Sequence, residues 1–189
     1  MPLDLIVLGS ASSYPRPGEP CSGYLVRGGG ATVWLDAGPG TLAALQQHTA
    51  LTDVDAIWIS HLHADHVADL LPGHFAEAGG LTLATTAAEH GFPAFGVRVT
   101  DGDRVLAYSG DTGPYAALTE LAAGADLFLC EADVPAPSPV HLTPEDAARA
   151  GHAAGKLVLT HLGPFLDPAQ AADRAGTDAV AKPGTVSEV

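Results

Sequence analysis

Residues 60–66 read Ser-His-Leu-His-Ala-Asp-His, and this run constrains what the chain can fold into more than any other feature. It puts His61, His63, Asp65 and His66 directly after the apolar stretch Ala56–Ile59. A strand there feeds its last residues into a tight turn, and a turn can aim several side chains at one point. Imidazole nitrogens and carboxylate oxygens suit zinc, and a centre with an open position binds and activates water. His61 and His63 alternate along an extended segment and can share one ion. Asp65 and His66 follow the turn and are placed to serve a second. The bland alternative is a solvated loop rich in histidine, and so dense a cluster beside an apolar run argues against it.

Each ion needs further ligands, and three residues beside other apolar runs offer them. His90 precedes Phe95–Val99, Asp111 follows Val105–Gly110, and His161 follows Lys156–Thr160. A residue one step past a strand is a common place for site chemistry. Any one of these alone reads more readily as a surface turn residue. Three in order behind the first cluster favour a site.

This ordered set resembles the metallo-β-lactamase superfamily, and within it the ribonuclease Z-like and phosphodiesterase-like branch, over nearly the whole chain. Leu8-Gly9-Ser10 and Leu35-Asp36-Ala37-Gly38-Pro39-Gly40 match its first strand and Asp-bearing loop. The His-x-His-x-Asp-His run lies at 61–66, and His90–Gly96 is similar to the next motif. Ser109-Gly110-Asp111-Thr112 and Leu159-Thr160-His161 resemble the last two. Cys130-Glu131-Ala132, with His141-Leu142-Thr143, resembles elements of the phosphodiesterase-like members.

The resemblance implies a two-metal site. His61, His63 and His90 would hold the first ion; Asp65, His66 and His161 the second, with Asp111 bridging both. Two Zn2+ are implied, and His and Asp donors also accept Mn2+ or Fe2+. A bridging hydroxide oriented by Asp65 would attack, both ions neutralising developing charge. His141, partnered by Glu131, would assist departure of the leaving oxygen. Thr143-Pro144-Glu145-Asp146 reads as a helix start, which His141 could merely flank. Asp36 would orient a ligand histidine from outside the coordination sphere.

The fold expected is an α/β, four-layer αββα sandwich, reduced in size, with 1–189 as one domain. Leu5–Leu8, Gly23–Val26 and Thr32–Leu35 read as strands, the last two joined by a turn at Gly28-Gly29-Gly30. Leu42–Gln47, Val67–Phe75, Tyr115–Ala123, Pro144–Ala154 and Pro168–Ala175 read as helices. Pro135–Pro139 is a stiff loop before His141. No apolar run approaches membrane-spanning length, and the start Met1-Pro2-Leu3-Asp4 lacks a basic leader, so a cytoplasmic protein is expected. Cys21 and Cys130 belong to no CxxC and read as ordinary thiols, Cys130 in the core. His48, His74 and His152 lack the strand-end position of the ligand set and read as structural or solvated.

Two departures from the resemblance bear on function. Residues 67–89 alone separate His66 from His90, where the family spends several tens more; they hold a short helix and a polar bridge, Thr85–Glu89. The shortening opens the site, bears most on His90, and leaves a homodimer undecided. The second departure is charge: eight basic against twenty-two acidic residues give −14. Polyanion affinity comes from Lys and Arg at phosphates, and no basic run exists here, so tRNA is not the expected substrate. The expected activity is hydrolysis of a small phosphodiester or other compact ester. The alternatives are a lactone, thioester or β-lactam hydrolase, or a metal-binding relic with little turnover.

Overall fold

The structure is a computed structural model and describes residues 2–70 and 80–189. Asp4–Gly9 (β1), Gly23–Gly28 (β2), Ala31–Leu35 (β3) and Ala56–Trp58 (β4) form one sheet with the C-terminal strand Val186–Glu188 (β10), ordered β10-β1-β2-β3-β4. Thr82–Glu89 (β5), Pro93–Thr100 (β6), Val105–Tyr108 (β7), Leu127–Glu131 (β8) and Lys156–Thr160 (β9) form the second in chain order. Each sheet begins antiparallel and ends parallel: β3 with β4 in the first, β7 with β8 and β9 in the second.

Strand residues alternate between two apolar surroundings, which is why these segments read as unbroken apolar runs. Leu5, Val7, Tyr24, Val26, Val33 and Leu35 face Val97, Val99, Leu106, Tyr108, Leu127 and Leu129 across the middle of the sandwich. The alternate residues Ile6, Leu8, Leu25 and Trp34 pack outward on Leu45 of Thr41–Leu45 (α1). Phe128, Cys130 and Leu159 pack outward on Leu118, Ala147 and Ala171, which belong to Ala116–Ala122 (α3), Pro144–Ala150 (α4) and Pro168–Ala175 (α5). The layers run α, β, β, α. Each fully buried Leu or Val here contributes roughly 1.5–3 kcal/mol. Among the described residues no helix is long and apolar enough to cross a membrane.

Three expectations need correction. At the start expected for the Val67–Phe75 helix, the helical turn is instead Ala64–Val67 (α2) and carries Asp65 and His66 itself. Ala68–Leu70 then leaves the helix because Asp69 is tied to the Asp36 loop, its carboxylate accepting from Gly40 N–H (2.8 Å) and Leu42 N–H (3.0 Å). The remainder of that candidate, with His74, lies outside the described residues. Thr85–Glu89 is no bridge but part of β5, paired residue by residue with β6; an edge strand tolerates its polar side chains. Pro144–Ala154 divides at Gly151 into α4 and a short 3-10 turn, where exposed His152 hydrogen-bonds the Arg149 carbonyl at 2.9 Å. Both cysteines are buried and free.

The parallel pairings bring the ends of β3, β4, β7, β8 and β9 toward one rim of the sandwich. Asp36 and His161 follow β3 and β9 directly, Glu131 ends β8, and Ser60-His61 and Asp111 come within three residues of the ends of β4 and β7. Gly38 is needed there, because a Cβ on it would collide with the Asp65 carbonyl. Gly110, at φ 58°, likewise lies against the Phe95 carbonyl and turns the chain to deliver Asp111.

Candidate metal centre

Two donor clusters form at this rim. His61, His63, His90 and Asp111 make one; Asp65, His66, Asp111 and His161 make the other, with donor atoms in each within 4.8 Å of one another. All seven residues named from the sequence are therefore brought together, and Asp111 belongs to both groups. His90 is fully included despite the short segment before it: its Nε2 lies 3.3 Å from His63 Nδ1.

The spacing fits a metal ion. His61 Nε2 stands 2.9 Å from His63 Nδ1 and 3.6 Å from Asp111 Oδ2, while Asp111 lies 3.3 Å from His66 Nε2 and 3.2 Å from His161 Nε2. Four ligands at zinc–nitrogen distances on a tetrahedron sit about 3.3 Å apart. His66 Nε2 and Asp111 Oδ1 are buried and make no hydrogen bond. Such atoms are costly unless something else satisfies them. Burial pushes Asp111 up, but His161 and His66 outweigh it and hold the carboxyl well below its usual range. Burial pushes His66 down, yet Asp111 and Asp36 raise it well above the ordinary imidazole value; His161, also pushed down by burial, is raised by Asp111. The buried carboxylate demands positive charge around it. Burial, with the His66 charge, lowers His61 to about 4, leaving it neutral as a ligand must be.

Outer partners fix the ring orientations. Asp36, buried after β3, accepts from His66 Nδ1 (2.7 Å), Ser60 N–H (2.7 Å), Ser60 Oγ (2.9 Å) and the Tyr108 hydroxyl (2.9 Å). Ser60 Oγ in turn accepts from His61 Nδ1 at 2.9 Å. His161 Nδ1 donates to Ser22 Oγ (2.8 Å) and His90 Nδ1 to the Val140 carbonyl (2.8 Å). Each bond leaves Nε2 as the inward lone-pair nitrogen. Asp65 Oδ2 accepts the Ser13 N–H at 3.1 Å. Among the described residues the non-glycine positions with positive φ are Ser13, Asp36 and His161, at 59°, 55° and 49°. All three belong to this centre, where such strain concentrates.

Glu131 and His141 lie beside the clusters. His141 Nδ1 is 3.1 Å from Glu131 Oε1, and its ring packs on His90 (centroids 4.9 Å apart) and stacks over His161 (6.2 Å). Glu131 is buried and also accepts the backbone N–H of Thr112 (2.7 Å) and Leu142 (3.1 Å). Burial pushes His141 down, but the Glu131 bond and charge outweigh it and raise the imidazole to about 9. Thr143 caps α4 reciprocally with Asp146, so the loop carrying His141 ends in a fixed helix start. Thr143→Ala is expected to cost about 1 kcal/mol in urea unfolding, the usual effect of losing such a cap.

Ser22, Ser60, Tyr108 and Ser13 were not assigned roles from the sequence. Ser60 carried a signal, standing directly before His61. Ser22 pairs with a residue 139 positions away, and no local pattern marks it.

The sequence pattern of the metallo-β-lactamase superfamily matches residues 16–94, and that of the β-lactamase superfamily domain residues 72–162. The chain is 32% identical to an uncharacterised protein of Mycobacterium tuberculosis, the match taking in 85% of this chain and 81% of that one. Its alignment extends over 223 positions, more than the 189 residues here, so part of the relative has no counterpart in this chain. The structure is similar to the metallo-β-lactamase fold protein YhfI of Bacillus subtilis (TM-score 0.91, 24% identity, all of both chains). It is also similar to the short form of human tRNase Z (TM-score 0.82, 20% identity, 98% of this chain and 99% of that one). The chain belongs to the metallo-β-lactamase superfamily, and its site makes it a metallo-hydrolase of that class.

Proposed function

We propose that this protein is a dinuclear zinc hydrolase that cleaves a small phosphodiester. The observation that carries this reading is the pair of donor clusters sharing Asp111, with the His141–Glu131 pair directly alongside. His61, His63, His90 and Asp111 would hold one ion; Asp65, His66, His161 and Asp111 the other. Bound there, two cations supply the Lewis-acid charge that acidifies water and neutralises a phosphoryl group in displacement.

The chain's own residues do the rest. Asp65, held by the Ser13 N–H and 3.6 Å from His66 Nε2, orients the attacking water and accepts its proton. His141, raised to about 9, carries at neutral pH the proton that a departing alkoxide requires. Glu131 holds that imidazole in place and favours its charged form. The net charge of −14 supports a compact substrate over a polyanion such as tRNA.

The test is a substrate panel with the zinc-reconstituted protein: bis(p-nitrophenyl) phosphate, a lactone, a thioester, a β-lactam and a tRNA precursor. The phosphodiester is expected to give the largest kcat/KM, and His63→Ala to abolish its turnover. Preferential cleavage of the lactone, thioester or β-lactam would overturn the phosphodiesterase assignment in favour of another ester hydrolase. No turnover by protein holding two ions would make the centre a binding relic.

A further inference from the structure

The five histidines of the centre are not held alike. His61, His66, His90 and His161 each have Nδ1 in a hydrogen bond, to Ser60, Asp36, the Val140 carbonyl and Ser22 respectively, and turn Nε2 inward. His63 is reversed. Its Nδ1 is the inward nitrogen, 2.9 Å from His61 Nε2 and 3.3 Å from His90 Nε2. Among the described residues no group hydrogen-bonds its outer Nε2, so the device that fixes the other four rings is missing.

The His63 ring packs on those of His61 and His90 and, outside the donor set, on Phe92. The His63 and Phe92 rings meet edge to face, centroids 4.9 Å apart and planes at 83°. Aromatic pairs favour this geometry. Phe92 lies in the turn between β5 and β6, beside Gly91 at φ 76°, and two residues past His90. Phe92 is 62% exposed, and among the described residues His63 is its aromatic partner. One short hairpin thus delivers both a donor, His90, and a ring that restrains a neighbouring donor.

We propose that Phe92 is a positioning residue, fixing His63 with Nδ1 inward and so setting the affinity of the His61, His63, His90 cluster for its ion. This rests on the two-metal reading above. Its effect is selective: the cluster of Asp65, His66 and His161 is oriented by Asp36 and Ser22 and does not need Phe92.

The test compares stepwise Zn2+ affinities, by chelator competition, of the wild type, Phe92→Ala, Phe92→Tyr, His63→Ala and the double variant Phe92→Ala/His63→Ala. Thermal unfolding of each protein is recorded without metal. Phe92→Ala is expected to weaken one step about tenfold, the low end for losing a group that orients a ligand, and to leave the other step and the metal-free midpoint unchanged. Phe92→Tyr is expected to restore the affinity. In the His63→Ala background the Phe92 change should have no further effect, since coupled positions are not additive. Unchanged affinities in Phe92→Ala, or equal weakening of both steps with a lowered midpoint, would overturn the proposal. A wild type that does not bind two ions would instead overturn the reading it rests on.

Discussion

Asp36→Ala is expected to destabilise the protein by about 3–5 kcal/mol, measured by urea unfolding with a chelator present. The carboxylate is fully buried and receives donors from Ser60, His66 and Tyr108. Hydrogen bonds to a charged group contribute about 1.5–3 kcal/mol, and donors left unpaired in a dry interior lose their solvation without return. The same change frees the His66 ring and, through Ser60, the His61 ring, so affinity for metal should fall as well. Asn at position 36 should recover part of the stability, since its amide oxygen still accepts. A loss near 1 kcal/mol would mean that the Asp36 network is not the anchor of the strand ends.

His141→Ala is expected to lower kcat on a phosphodiester with an alkoxide leaving group by about 10²–10⁴-fold, the span typical of a removed general acid. Metal stoichiometry should stay at the wild-type value, because His141 belongs to neither donor cluster. The loss should be smaller with bis(p-nitrophenyl) phosphate, whose p-nitrophenolate departs without a proton, which separates proton donation from substrate binding. Equal losses on good and poor leaving groups would argue that His141 binds substrate and donates no proton.

The candidate donors His61, Asp111 and His161 were legible in the sequence because each stands just beyond an apolar run, and the parallel pairing of β3 with β4 and of β7 with β8 and β9 gathers those ends. Asp36, too, was legible as an orienting residue. The residues that were not legible act across the sheets. Tyr108 lies inside an apolar run and reads as plain core, yet its hydroxyl reaches Asp36 from the opposite sheet. Ser22 is a small polar residue whose importance exists only once β2 is brought beside the end of β9. Ala68–Leu70 leave the helix expected from Val67 because the apolar pattern is overridden there by tertiary bonds from Asp69 to the Asp36 loop. Thr85–Glu89 read as a bridge for a related reason: an edge strand facing water has no apolar period to show.

In the proposed two-metal centre Asp111 serves both donor clusters. The direct measurement is the number of zinc ions per chain, by elemental analysis after reconstitution and removal of free metal, in the wild type and in Asp111→Ala. Two per chain in the wild type, with both affinities lowered in the variant, is the predicted result. One ion or none in the wild type, or a variant that retains both at full affinity, would contradict it.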